Sequence, residues 1–177
     1  MKLGLENNEV RLVEYTTEWQ EEFARVKEQL LQATSLLPHQ IEHVGSTAIN
    51  EMAAKPILDM VVGVDSIESV DREFFKALQS VGFLRLRVER PNEIVLARFE
   101  DDTYAVKTHY IHLVDFDGEI WRNLLFFRDY LDSNEEARQQ YLAIKLDYLE
   151  SSSSGIQEYT EFKEAFVKEI FGKRNFV

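Results

Sequence analysis

Apolar positions recur at two different periods along this chain, and the change of period marks its elements. Trp19, Phe23, Val26, Leu30, Ala33 and Leu37 are spaced 4, 3, 4, 3 and 4 apart, which predicts an amphipathic helix over 17–37. Thr17 with Gln20 has the spacing of a capping box, and Pro38 ends the pattern. A second helical stripe, Ile67, Val70, Phe74, Leu78 and Val81, is expected to start at Ser66 and stop at Gly82. Between them lie two short apolar runs, 41–44 and 57–63, joined by Gly45-Ser46-Thr47, a short helical piece over 47–53 and Pro56. Residues 10–15 read as an extended entry segment.

Beyond Gly82 the period drops to two. Leu84-Arg85-Leu86-Arg87-Val88 alternates apolar and basic residues, as in a strand with one wet face. Runs 94–99 and 104–114 predict two more strands in an antiparallel hairpin around Asp101-Asp102. The period then returns to helical. Ile120, Leu124, Phe127 and Leu131 mark a helix over 119–132. Ala137, Tyr141, Ile144 and Tyr148 mark another, capped by Asn134. Tyr159, Phe162, Phe166 and Ile170 mark a last one ending at Gly172. Residues 151–155, Ser-Ser-Ser-Ser-Gly, read as a flexible loop. The order of helix, strand, strand, helix, three strands and three helices predicts one α/β (α+β) domain over 1–177, with a mixed sheet flanked by helices and a helical C-terminal third.

Composition narrows the chemistry. The chain has 177 residues, 45% of them hydrophobic, enough for a sizeable core. It has no cysteine, which removes disulfides, zinc thiolates and thiol nucleophiles. No apolar run approaches the roughly 18 residues that a membrane helix needs, and the start of the chain lacks a signal peptide's apolar core. The expectation is a cytoplasmic protein with no membrane partner. The net charge of −12 argues against a nucleic-acid partner, because polyanion affinity rests on Lys and Arg. A small phosphorylated ligand needs only a local pocket and stays compatible.

Candidate chemistry concentrates in 41–62. A Gly45-Ser46-Thr47 turn leaving a strand presents backbone N–H groups and a hydroxyl, which suit a phosphate as well as an ordinary turn. Its flanks, His43 and Ala48, are not those of a nucleophile elbow, so Ser46 has little support as a hydrolase nucleophile; nor is the stretch a Walker loop or a dinucleotide fingerprint. Asp59 stands inside Ile57-Leu58-Asp59-Met60-Val61-Val62, where a carboxylate needs a partner. It reads equally as a metal ligand and as a structural acceptor for the turn. Lys55, Arg98 and Lys107 are phosphate ligands only if the sheet carries them to the turn. His109 and His112 are three apart in one strand and so point to opposite faces, which weakens a metallohydrolase built on both. His43 can bond the backbone near the turn.

The blocks Val10-Arg11-Leu12-Val13-Glu14-Tyr15, Ile41-Glu42-His43-Val44-Gly45-Ser46-Thr47-Ala48, Ala53-Ala54-Lys55-Pro56-Ile57-Leu58-Asp59, Thr108-His109-Tyr110-Ile111-His112-Leu113 and Phe127-Arg128-Asp129-Tyr130-Leu131 closely resemble the GrpB family, in order and over nearly the whole chain. That family looks like a divergent branch of the nucleotidyltransferase fold superfamily. The resemblance implies a nucleotidyltransferase-like mixed sheet. It also implies a nucleotide triphosphate held at Gly45, Ser46 and Thr47, and a divalent metal (Mg²⁺ or Mn²⁺) held by Asp59; where the pattern's other acids are missing, His112, joined by Glu42, could complete the set for a single ion. Asp59 and His112 would then be the catalytic pair. The superfamily's second carboxylate would fall at Val61, and Asn50-Glu51 stands where relatives often have Pro-Gly. The implied function is metal-dependent nucleotidyl transfer to a small acceptor. The alternative is a non-catalytic module that keeps the phosphate cradle. The family also occurs fused to dephospho-CoA kinase, an association with nucleotide or coenzyme chemistry.

Overall fold

The computed structural model describes residues 2–6, 9–151 and 156–174. Six strands form one mixed sheet: β1 (Leu5–Glu6), β2 (Ile41–Val44), β3 (Leu58–Val64), β4 (Phe83–Arg85), β5 (Ile94–Phe99) and β6 (Val106–Asp115). Five α-helices accompany it: α1 (Glu18–Ala33), α2 (Arg72–Ser80), α3 (Glu119–Ser133), α4 (Glu135–Ser151) and α5 (Ile156–Lys173). The strand order is β2-β3-β6-β5-β4, with β1 pairing the start of β6. Only β3 and β6 run parallel. The nearly unbroken apolar run of β3 follows from that central place, where both faces are covered.

The alternation of β3 and β6 assigns each residue to a face. Leu58, Met60, Val62, Ile111 and Leu113 point to one side and pack with Val26 and Leu30 of α1 and Leu78 of α2. Val44, Val61 and Val114 point to the other, under Trp121 of α3. The three C-terminal helices close a second cluster. Phe127, Leu131, Tyr141, Phe166 and Ile170 enclose Ile49 and Met52, which follow the turn after β2. The end of the sheet that carries Gly45 is therefore roofed by the helical third of the chain.

Several local expectations shift. The capping box at Thr17 does not form: Thr17 already has helical dihedrals (φ −64°, ψ −19°) and makes no side-chain cap bond. α1 stops at Ala33, four residues early, because Thr34 turns extended and its hydroxyl donates to Leu30 O (2.7 Å). Ser66 opens only a 3₁₀ turn; α2 begins after Asp71, whose carboxylate accepts from Phe74 N (2.8 Å). The 84–88 alternation yields only the three-residue edge strand β4, the 47–53 helix shrinks to a 3₁₀ turn at Ser46–Ala48, and Gly172 lies inside α5. In the entry segment only Val13 pairs, bridging Ala54. Residues 152–155 of the expected serine loop lie outside the described residues. No helix among the described residues is long and apolar enough to cross a membrane.

Gly63 marks where β3 passes under the Asp115-Phe116-Asp117-Gly118 turn. A Cβ there would meet Phe116 Cδ2 at 2.8 Å and Phe116 Cα at 2.9 Å. Gly63→Ala is expected to lower stability by about 1–3 kcal/mol through overpacking against backbone that cannot retreat. A urea denaturation curve with a shifted midpoint and an unchanged slope would show it.

Candidate functional site

Two rows of residues cross the site face of the sheet. One reads Val44, Asp59, Tyr110, Ala97 and the next Glu42, Val61, His112, Val95. Gly45 follows Val44 with φ +71°, and a Cβ on it would lie 2.7 Å from Asp59 Oδ2. Only glycine allows both that backbone and that approach. Ser46 and Thr47 continue as the 3₁₀ turn. Together with Lys55, Ile57, Asp59, Tyr110, Tyr141, Tyr159 and Lys163, this turn lines a cavity of about 130 Å³. In liquid water that is room for about four molecules, the scale of a phosphate group rather than a nucleoside.

The charges around the cavity are mostly cationic. Lys163 lies over the Tyr159 ring (4.0 Å from its centroid), Lys55 over the same ring (5.2 Å) and Lys145 over Tyr141 (4.7 Å). Lys145 is 1% exposed; its Nζ donates to Ala53 O (2.6 Å) and lies 3.3 Å from Ser46 Oγ. The Tyr141 hydroxyl is hydrogen-bonded to Ser46 as well. Burial, then Lys163 and Lys55 nearby, push the Lys145 amine down to about 6. Burial also pushes Lys55 and Lys163 down to about 8. Desolvation raises Tyr110 and Tyr141 to about 12 and Tyr159 higher, so all three hydroxyls stay neutral donors at ordinary pH.

Asp59 is balanced from the other side. Its Oδ1 is 3.7 Å from His112 Nε2, and His112 Nδ1 bonds Glu93. Burial alone would lower the His112 pKa, but the bonds to Asp59 and Glu93 outweigh it and raise it to about 9. At neutral pH His112 is thus an imidazolium held between two carboxylates.

The other expected site residues separate. Glu42 stands across Val61 from His112, about 10 Å away at ordinary strand spacing, and is tied to Arg128 (2.8 Å). It is not part of a donor set with Asp59 and His112. His43 lies on the opposite face, stacked on Phe23 (4.9 Å), with Nε2 2.9 Å from Thr47 Oγ1. The Thr47 hydroxyl is therefore engaged from beneath and braces the turn. His109 also faces α1, bonding Glu22 (3.0 Å). Arg98 bonds Gln29 of α1 (3.2 Å) on that same face. Lys107 sits at the start of β6 over Phe99, 5.8 Å from the ring centroid. Neither Arg98 nor Lys107 lines the cavity; strand parity sends Arg98 to the far face with His109.

A divalent ion would find one carboxylate and one imidazole here. Glu93 orients that imidazole as outer carboxylates orient metal-bound histidines. Yet His112 Nε2 carries a proton in the imidazolium, and Lys55 and Lys163 stand beside Asp59. Among the described residues no three His, Asp or Glu side chains are placed to hold one ion. The set suits at most a single ion completed by ligand oxygens, and does not suit a metal pair.

Lys145, Lys163, Tyr110, Tyr141, Tyr159 and Glu93 complete the site without having been singled out by motif. A signal existed for the two lysines. Ala137, Tyr141, Lys145 and Tyr148 are spaced 4, 4 and 3, and Tyr159, Lys163, Phe166 and Ile170 are spaced 4, 3 and 4. Each helix therefore places a lysine on its buried stripe, where lysine is rare. In α5 it is Lys163 that turns inward, while Phe162 is 45% exposed.

The mixed sheet, with a Gly-Ser turn after one strand and a carboxylate on the next, has a nucleotidyltransferase-like fold. The family model described as GrpB protein matches residues 9–173, and the chain belongs to the GrpB family. It is 34% identical over 172 residues to the glutamate-rich protein GrpB of Alkalihalophilus pseudofirmus, covering 97% of this chain and 99% of that one. The crystal structure of the conserved protein GrpB from Enterococcus faecalis superposes with a TM-score of 0.76 at 28% identity, covering 92% of this chain and 96% of that one. The MgGTP-bound Cid1 poly(U) polymerase matches with a TM-score of 0.51 at 16% identity, over 76% of this chain and 43% of that one, a likeness of fold alone.

The raised His112 has a consequence for stability. A histidine whose folded pKa lies above its unfolded value near 6.5 contributes fully below pH 6.5 and loses that contribution as pH rises through about 9. His112→Gln is expected to cost on the order of 2 kcal/mol at pH 6. The gap between its unfolding curve and that of the unmutated protein should close by about pH 10, as thermal melts at stepped pH would report.

Proposed function

We propose that this chain binds the phosphate group of a small phosphorylated ligand, a nucleotide or a phospho-metabolite, at the Gly45-Ser46 turn. The observation that carries this reading is the convergence of Lys55 and Lys163 on a cavity sized for one phosphate, with Ser46 and the neutral tyrosine hydroxyls as further donors. Backbone N–H groups in such a turn and ammonium groups are the usual partners of a phosphate. Lys55 before β3 and Lys163 of α5 supply the positive charge that a carboxylate-bound metal pair would otherwise bring. The acidity of the remaining surface, at a net charge of −12, favours a small ligand over a nucleic acid.

A second reading, metal-dependent nucleotidyl transfer to a small acceptor, is favoured by one observation: Glu93 aligns His112 toward Asp59. Asp59 and a deprotonated His112 would hold a single Mg²⁺ or Mn²⁺, whose chemistry is to neutralise charge on a transferring phosphoryl group. Pyrophosphate release from ATP with Mn²⁺, abolished by Asp59→Asn, would establish it.

The binding reading is tested by calorimetry with inorganic phosphate in the absence of metal. Lys163→Met should weaken binding about tenfold or more, a loss of about 1.4 kcal/mol, without lowering the melting temperature. The pH dependence has a fixed sign. Lys55 and Lys163 lose their protons near pH 8 in the free protein, so affinity should fall between about pH 7.5 and 9.5, and binding at pH 7.5 should take up protons from the buffer. Phosphate binding indifferent both to pH and to Lys163→Met would sink the reading.

A further inference from the structure

We infer that Ser46 is a nucleophile activated by Lys145, able to accept the terminal phosphoryl group of a phosphoanhydride or acyl phosphate bound at the Gly45-Ser46 turn. This rests on the phosphate-binding reading above and goes beyond it, from holding a phosphate to reacting with it.

The arrangement divides the three lysines by task. Lys55 and Lys163 line the cavity, whereas Lys145 lies behind the turn and is not among the lining residues. Ser46 stands between them: it is partly exposed, lines the cavity, and has Lys145 Nζ 3.3 Å from its Oγ. Among the described residues Lys145 has no carboxylate partner. Its fixed acceptor is the backbone oxygen of Ala53 at 2.6 Å, which one N–H of a neutral amine satisfies as well as an ammonium does. As an ammonium Lys145 donates to Ser46 Oγ; as a neutral amine, with one N–H committed to Ala53, it can turn its lone pair to accept from the Ser46 hydroxyl. Burial at 1% exposure and the neighbouring Lys55 and Lys163 favour the neutral amine, with its pKa down to about 6. A base within hydrogen-bond reach of a hydroxyl, itself oriented by a third group, is the signature of an activated nucleophile. Here the Ala53 carbonyl orients the amine, and the Tyr141 hydroxyl holds Ser46 from another side. The sequence offers no nucleophile elbow because the strained turn is not what activates Ser46. The base comes from a helix 99 residues away in the chain.

Ser46 Oγ attacks phosphorus, an Oγ–P bond forms, and the P–O bond to the leaving group breaks with its electron pair on the departing oxygen. The Ser46 proton passes to Lys145 Nζ. The charge on the departing oxygen faces Lys55 and Lys163. The cavity's volume of about 130 Å³ matches a terminal phosphoryl group rather than a nucleoside.

Two probes test it: acetyl phosphate, as a phosphoryl donor, and methanesulfonyl fluoride, as a small reagent for activated hydroxyls that loses fluoride when Oγ–S forms. Tandem mass spectrometry should find both modifications on Ser46, and Ser46→Ala should abolish them. Lys145→Met should slow both by about a hundredfold or more, the usual range for loss of a general base. Should Lys145→Met fail to fold, the unmutated protein still decides: its labelling rate must rise with pH through about 6, where Lys145 gives up its proton. Inorganic phosphate binding, measured in parallel, separates the two readings. Phosphate that binds while neither probe marks Ser46, or marks it at a rate indifferent to Lys145 and to pH, overturns the nucleophile and leaves the binding reading standing. Lys145-dependent sulfonylation of Ser46 in a protein that does not bind phosphate supports the nucleophile and overturns the phosphate reading.

Discussion

The structure depends on a cost: amines are placed where water is scarce. Lys145 is nearly fully buried and Lys163 is half-buried beside Asp59, and a buried ammonium is expensive. The fold meets this with tyrosine rings beneath the amines, a backbone carbonyl for Lys145, and depressed pKa values that let the charge leave. Such a site is poised to regain charge when an anion arrives. The docking of α4 and α5 over Ile49 and Met52 keeps these amines within reach of Gly45 and Ser46.

The opposite sign is handled on the neighbouring strands. Asp59 is met by His112, and His112 by Glu93, so one imidazolium lies between two carboxylates. Val61 fills the position in between with an apolar side chain packed under Trp121. The resemblance implied a second carboxylate at this position, and Val61 stands there instead. Here Asp59 is met by His112 on the neighbouring strand, by Lys55 before β3 and by Lys163 of α5. The likeness to Cid1 therefore speaks for the scaffold, and the chemistry must be argued from the side chains.

Much of the scaffold was legible in the chain. The period of apolar residues located β2, β5, α3 and α4 to within a residue or so of their observed ends, and the family resemblance ordered them into the right sheet class. The errors fell at ends, where one side chain decides: Thr34 closed α1 early, and Asp71 rather than Ser66 opened α2. Of the site, Gly45, Ser46, Lys55, Asp59 and His112 were visible in three blocks, and four of these line the cavity. Arg98 and Lys107 were plausible by charge alone and stand elsewhere, because strand parity and the length of β6 carry them away from the turn.

By itself the sequence determined most of the helices and strands and the opposite faces of His109 and His112, since these follow from period and strand parity. Only the tertiary structure decided which charges meet. Lys145 and Lys163 lie about a hundred residues beyond the turn they serve, and Glu93 reaches His112 across a hairpin. Their lysine-on-apolar-stripe pattern showed that something polar had to be answered inside the fold. What answers it is set by how the helical third docks on the sheet, a long-range packing arrangement that no local pattern encodes.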